Sequence, residues 1–311
     1  MTALVAVGAF LPEKRVPIED LADRFGLTPM QIKVFRRYHK LAEVRVDPGG
    51  SLLDLLRGAL DDLDYLRGRE QQVRYVLHAR AFPVVVPYPM DPLRELRAEY
   101  GLDHASTFAV GHHTCASGLL AIDVAGRLLA ADAESHPDAL ALILAGEKAF
   151  TPETQLVPET SFFGEGASAC LVQADNSRDR LLAYAVDLRG EYDGDGEELA
   201  SAFQRDYADS LAAAILAAVD RSGLRMEQIG LILPHNVNVI AWQRVCRRLA
   251  FPVSRVVLDN VPTYGHVFCA DPFINYCTAR DRGLLQPGEH YVMAAAGAGR
   301  GATFAAMVFQ H

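Results

Sequence analysis

The stretch that decides the fold runs from Ser106 to Ala131, STFAVGHHTCASGLLAIDVAGRLLAA. Thr107–Val110 reads as an apolar strand. From Ala116 onward the segment is apolar nearly all round, with Asp123 and Arg127 as the exceptions. A surface helix is apolar along one stripe only, whereas a helix apolar on every face belongs in the middle of a protein. The segment therefore predicts a sandwich in which two sheets close over a central helix layer.

On either side of it, apolar runs predict strands at Ala3–Val7, Val73–His78, Ala139–Leu144, Ala167–Val172 and Leu181–Val186. Further strands are expected at Leu231–Leu233, Arg255–Leu258, Tyr291–Ala295 and Ala302–Val308. Helical patterns lie between them. Thr28 and Pro29 open one, Leu52 to Leu66 form an apolar stripe in another, and Glu197–Ser222 reads as a long Ala-rich helix. ALALILAGE with GEGASACLVQ matches YVMAAAGAG with GATFAAMVFQ in form, which suggests two similar halves, residues 1–190 and 191–311. EYDGDGEE at the boundary lacks the ligand spacing of a calcium loop and reads as a solvated linker.

The 311 residues suit one or two domains with a large core, and half are apolar with 22% charged, which excludes a disordered chain. Mean hydropathy is +0.07. Thirty Lys and Arg against 39 Asp and Glu leave a net charge of −9, so a nucleic-acid partner is not expected. Five cysteines without CxxC spacing argue against a disulfide framework and for a reducing compartment. The opening MTALVAVGAFLPEKR lacks a basic lead-in and meets Pro12 early, and no uninterrupted apolar run would cross a bilayer. A cytoplasmic globular protein with no membrane partner is expected.

Three residues at strand–helix junctions stand out for chemistry. Cys115 opens the buried helix, where unpaired N–H groups and the positive dipole end stabilise a thiolate, although most free cysteines are inert core thiols. His235 follows a strand in LPHNVN, and His266 follows a Tyr-Gly turn in VPTYGHVFCADP. A Cys with two His suits an activated nucleophile. Neither GEGASA nor AAGAGRGATF is a dinucleotide fingerprint, and no phosphate-binding P-loop occurs, so no cofactor is expected. AAGAG reads instead as a tight loop whose backbone approaches the reacting centre. His112 and His113 are adjacent on a strand end and point to opposite faces, so no metal site is expected.

Taken in order, GHHTCASGL, FGEGASA, LPHNVN, DNVPTYGH and AAGAGRGATF resemble the motifs of the β-ketoacyl-ACP synthase III group of the thiolase-like superfamily. The resemblance covers the whole chain and implies a five-layered αβαβα fold of two similar halves. It implies that Cys115 is acylated by a CoA or acyl-carrier-protein thioester and that His235 handles a proton or steadies a carbonyl oxygen. The backbone N–H groups of Cys115 and Ala298 would form the oxyanion hole. His266 stands where the family has Asn, so the set becomes Cys-His-His, and Asn236 and Val237 stand where Gln and Ala are usual. The expected reaction is decarboxylative condensation with a malonyl-type extender, in specialised fatty-acid or polyketide biosynthesis. The alternatives are acyl transfer to an alcohol or amine, a non-catalytic subunit of a heterodimer, and a cysteine hydrolase.

The resemblance also implies a homodimer, with Tyr88 near the partner's acyl pocket. Asn238 and the arginines Arg244, Arg247 and Arg248, spaced i, i+3 and i+4 on the helix after His235, are the expected substrate or carrier contacts. Ile240 stands where a basic residue near the start of that helix would be expected.

Overall fold

Alternation along the strands sorts the core into layers. The computed structural model describes residues 2–311 except 152–153, 158, 176 and 195–196. Asp195 and Gly196 of the DGDG run therefore lie outside the described residues. The main sheet contains β1 (Thr2–Phe10), β2 (Val73–Ala79), β3 (Ser106–Val110), β4 (Leu140–Glu147) and β5 (Gly166–Gln173). It continues through β6 (Arg180–Asp193), β7 (Ile229–Pro234) and β8 (His290–Gln310), in the order β7-β8-β6-β1-β5-β4-β2-β3. The helices that cover it are α1 (Leu52–Asp61), α2 (Pro92–Glu99), α3 (Ser117–Asp132), α4 (Glu197–Arg221), α5 (Val239–Leu249) and α6 (Asp271–Asp281).

In β4, Leu140, Leu142 and Leu144 pack outward with Leu55, Leu56 and Leu96 of α1 and α2. Ala141, Ile143 and Ala145 face the other way, toward Leu119 and Ile122 of α3 and Phe273 of α6. That central cluster also takes Leu231, Leu233, Met293 and Met307 from β7 and β8. The opposite faces of the same two strands, with Ile232, Val292 and Phe304, pack on Leu211 and Ile215 of α4 and Trp242 of α5. Five layers result, α1/α2, sheet, α3/α6, sheet and α4/α5, as a period-2 pattern apolar on both faces requires.

The two sheet halves share one pairing plan. In the first, β1 pairs antiparallel with β5, β5 antiparallel with β4, and β4 parallel with β2. In the second, β6 pairs antiparallel with Ala302–Gln310 of β8, while His290–Ala294 of β8 run parallel to β7. Tyr291 stacks on Phe309 with centroids 5.2 Å apart, so β8 doubles back on itself about its glycines. This is the counterpart of the β4–β5 pair. Among the described residues the two sheet halves pair edge to edge at Thr2 with Leu181 and Ala3 with Arg180. By pairing, Arg180–Gly190 go with the second half, although the sequence reading placed them in the first.

Two other expectations change. Arg255–Leu258 is not a strand: Val253–Arg255 form a 3-10 turn, and only Val256 bridges Ile232. The Arg255 guanidinium donates to the Ile229 carbonyl and lies over the Phe251 ring, tying that segment down as a turn. Thr114–Asp132 is apolar and long enough to cross a membrane, but 56% of its apolar window is buried in this fold. Its two polar exceptions, Asp123 and Arg127, meet at the helix surface, where Arg127 is 77% exposed and pairs with Asp123 at 2.8 Å.

Candidate active site

The turn that carries Cys115 is held in strained backbone. Cys115 lies in a 3-10 turn, Thr114–Ala116, directly ahead of α3, so the free N–H groups of the helix start lie beside it. His112 and Thr114, neither of them glycine, have φ of 67° and 45°. Such conformations persist where neighbours over-determine them. Gly297 of β8 lies so close to this turn that a Cβ there would overlap Thr114 Oγ1 and the His113 carbonyl. The Cys269 thiol donates to the Thr114 carbonyl at 3.1 Å.

A cavity of about 840 Å³ opens over this turn, and Cys115, His235, His266 and Ala298 all line it. His266 follows Gly265, whose φ of 70° suits a residue without a side chain. Its Nδ1 meets Oδ2 of Asp271, and the Cys115 sulfur lies near enough to act on the charge of the ring. Burial opposes a charge on this imidazole. The Cys115 sulfur and the Asp271 carboxylate more than offset it, and the pKa is pushed up to about 10. His235 behaves oppositely. Burial, with His266 beside it, drives its pKa down to about 3, while the Ala294 carbonyl opposes the shift. Its Nε2 is 2.9 Å from the Tyr207 hydroxyl, and its carbonyl accepts from Trp242 Nε1 at 2.9 Å. Two imidazoles, one cationic and one neutral, therefore share one cavity with a cysteine.

Asp271 and Tyr207 escaped the sequence reading. Asp271 had a signal: it lies five residues after His266, at the start of a helix. Tyr207 had none, being one aromatic in a long amphipathic helix. The network behind the site is closed by asparagines. Asn236 donates its backbone N–H and its Nδ2 to Asp271 at 2.6 and 3.2 Å, and Asn275 donates to the Pro234 carbonyl at 2.6 Å.

The other expected residues separate. Asn238 lines the cavity, but its Oδ1 caps α5 through Ala241 N at 2.7 Å and its Nδ2 donates to Thr160 O at 3.0 Å, so its amide is occupied. Arg244, Arg247 and Arg248 line the cavity mouth. Arg248 is ion-paired with Asp209 of α4, whereas Arg205, Arg244 and Arg247 also line the cavity and, among the described residues, have no ion-pair partner. His39, from the turn Phe35–His39, joins them, its pKa lowered by burial and by Arg244. Tyr88 is 98% exposed and does not line this cavity. Among the described residues no group of three or more His, Cys, Asp or Glu is placed to hold a metal ion.

The profile of the family described as 3-oxoacyl-[acyl-carrier-protein (ACP)] synthase III C terminal matches residues 219–311. The chain is 26% identical over 156 residues to the β-ketoacyl-[acyl-carrier-protein] synthase III of Ruegeria sp. (strain TM1040), covering 44% of this chain and 48% of that one. It thus spans about half the length of the first curated relatives it matches. A longer alignment, 25% identical over 288 residues, joins it to the same-named protein of Nitratidesulfovibrio vulgaris, with 85% and 83% covered. The fold superimposes on the 3-oxoacyl-[acyl-carrier-protein] synthase III structure from Aquifex aeolicus with a TM-score of 0.84 at 18% identity, all of both chains being covered. ChlB3, an acyltransferase, gives 0.83 at 19% identity over 99% of this chain and 97% of that one.

Proposed function

We propose that this chain, which belongs to the β-ketoacyl-ACP synthase III-like group of the thiolase-like superfamily, is an acyltransferase working through S-acyl-Cys115. The donor is a CoA or carrier-protein thioester, and the acceptor bears an O–H or N–H. The observation that carries this reading is the line Cys115, His266, Asp271: a sulfur, an imidazole and a carboxylate in sequence.

The Cys115 sulfur attacks the thioester carbonyl carbon, the bond from that carbon to the donor sulfur breaks, and the departing thiolate takes the His266 proton. Acylation removes one of the two groups that favour a charge on the imidazole, while Asp271 keeps its Nδ1–H in place. Neutral His266 then accepts the proton of the acceptor as its oxygen or nitrogen attacks the acyl carbon, and Cys115 leaves as thiolate beside a recharged His266. The N–H groups of Cys115 and Ala298 are the proposed donors to the oxyanion.

The second reading is the decarboxylative condensation expected from the sequence. Its support is His235: neutral, buried and on the cavity wall, it is a hydrogen-bond donor or acceptor without charge, as an extender carbonyl requires. Protein carrying S-acetyl-Cys115 separates the two. Challenge with an alcohol or amine panel should release acetyl ester or amide. Release of CO₂ from malonyl-CoA, with no transfer to the panel, would overturn the first reading in favour of the second.

A homodimer belongs to the proposal as well. β3 ends the sheet, and Val84, Tyr88 and Met90 leave an apolar surface of 74%, 98% and 53% exposure in the loop after β2.

A further inference from the structure

A second thiol lies beside the turn that carries Cys115 and has no part in acyl transfer. Cys269 is 1% exposed and sits in the turn Phe268–Ala270, which packs against Thr114–Ala116. Its sulfur donates to the Thr114 carbonyl at 3.1 Å, and the Ser117 and Gly118 N–H groups lie near enough to act on its charge. One side of that sulfur therefore touches the residue before Cys115, and another faces the N–H groups that follow Ala116. A peptide oxygen is held about 3 Å from the next Cα, so the Cys269 sulfur lies within about 6 Å of the Cys115 Cα. The Cys115 sulfur also acts on the charge of Cys269.

Both turns are held firmly. Thr114 and Phe268 have φ of 45° and 47°, conformations that a side chain keeps only where its neighbours enforce them. Of the five cysteines, Cys115 alone lines the cavity among the described residues. A small oxidant entering there meets Cys115 first, with Cys269 directly behind it. Cys170 and Cys277 also lie near each other, but neither lines the cavity.

We propose that Cys115 and Cys269 form a reversible disulfide when a hydroperoxide enters the cavity, so that Cys269 blocks Cys115 and shields it from further oxidation. This goes beyond the acyl-transfer reading and does not depend on the acceptor. The Cys115 thiolate attacks one oxygen of hydrogen peroxide. An S–O bond forms, the O–O bond breaks, and the departing hydroxide takes the His266 proton as water. The Cys269 sulfur then attacks the sulfur of this sulfenic acid. An S–S bond forms, the S–O bond breaks, and the released hydroxide takes the Cys269 proton as a second water. The two sulfurs together give up two electrons, which the peroxide accepts. A dithiol reductant returns both thiols by exchange. Without Cys269 the sulfenic acid goes on to sulfinic and sulfonic acids, which thiols do not reverse.

The test treats the full chain, reduced and desalted, with hydrogen peroxide and reads it by intact mass and by peptide mapping without reductant. Wild type should lose two hydrogens, with the Cys115 peptide linked to the Cys269 peptide, and dithiothreitol should restore both thiols. Cys269→Ser keeps a hydroxyl to donate to the Thr114 carbonyl but removes the second sulfur. It should instead gain two or three oxygens on Cys115, which dithiothreitol leaves in place. If that variant fails to fold, the wild-type map carries the test alone. Three results in wild type would each overturn the inference. They are oxygens accumulating on Cys115 with no link to Cys269, a Cys115 that stays reduced in peroxide sufficient to oxidise free cysteine, and a link between Cys170 and Cys277 only. None of them bears on acyl transfer, which labelling of the reduced chain by acetyl-CoA reads separately.

Discussion

Asp271 lies directly behind His266: its Oδ2 meets Nδ1 of the imidazole, while its Oδ1 accepts the Val267 N–H at 2.7 Å. With Asn236 on both oxygens, the carboxylate has one possible orientation, and so has the ring. A neutral asparagine-like donor at position 266 would need no such backing. A proton carrier does.

Asp271→Asn preserves the shape and presents an N–H to Nδ1, forcing the wrong tautomer. Transfer from S-acyl-Cys115 to the acceptor should fall by on the order of 10²–10⁴. Single-turnover release from the acylated variant measures this directly, and a rate within threefold of wild type would remove Asp271 from the mechanism.

The raised pKa of His266 depends partly on the Cys115 sulfur. Carbamidomethylation of Cys115 removes the sulfur's contribution, so the His266 value should fall from about 10 while Asp271 keeps it above the ordinary imidazole range. Titration by NMR of histidine-labelled protein, before and after alkylation, reports the change. A value unmoved by alkylation would show that sulfur and ring do not interact.

Tyr207→Phe deletes the hydroxyl bonded to His235 Nε2. With the imidazole still in place but its orientation released, release of CO₂ from malonyl-CoA, the step in which the second reading uses His235, should drop by on the order of tenfold while the acylation rate is little changed. His235→Gln, by contrast, should make a further Tyr207→Phe change nearly silent. Additive losses in the double variant would mean that the two residues act separately.

The two histidines also oppose each other in stability. His235, depressed to about 3, is neutral in the folded protein, whereas the unfolded chain takes up a proton near the ordinary value of about 6.5. Its contribution is present above about pH 6.5 and is lost as pH falls from there toward 3. His266, raised to about 10, contributes fully below about pH 6.5 and loses that contribution as pH climbs through 10. Thermal melting of His235→Gln should therefore be less steep than wild type between pH 6 and 4, and unchanged steepness would contradict the assignment.

The layers were legible in the sequence because periodicity reports burial. The outward leucines and inward small residues of β4 are written in LALILAGE, and the central helix announces itself by lacking a polar face. Cys115, His235 and His266 were legible because strand–helix junctions collect at one end of such a sheet. Asp271 and Tyr207 were not, because their roles depend on which face of α6 and α4 turns toward the cavity. Helical period alone does not say what lies opposite. Nor does the spacing of Arg244, Arg247 and Arg248 reveal that Asp209, 39 residues away from Arg248, neutralises one of the three.

That pairing sharpens what the arginines should do. Reversing Arg244 and Arg247 to Glu should raise KM for an acyl carrier protein by on the order of tenfold, with little change in kcat and little effect on a short acyl-N-acetylcysteamine thioester. The effect should shrink as salt is added. Arg248→Glu should do more harm to its contact with Asp209 than to carrier binding. Equal effects on both donors would return these residues to an ordinary solvated face.

The central claim is that the acyl group passes through the Cys115 sulfur. Intact mass of the full chain after brief incubation with acetyl-CoA tests it most directly, with peptide mapping of the modified residue. Wild type should gain one acetyl group, located on Cys115 and released by neutral hydroxylamine, and Cys115→Ala should gain none. An acetyl group that persists in Cys115→Ala, or acyl transfer by that variant at the wild-type rate, would contradict the account.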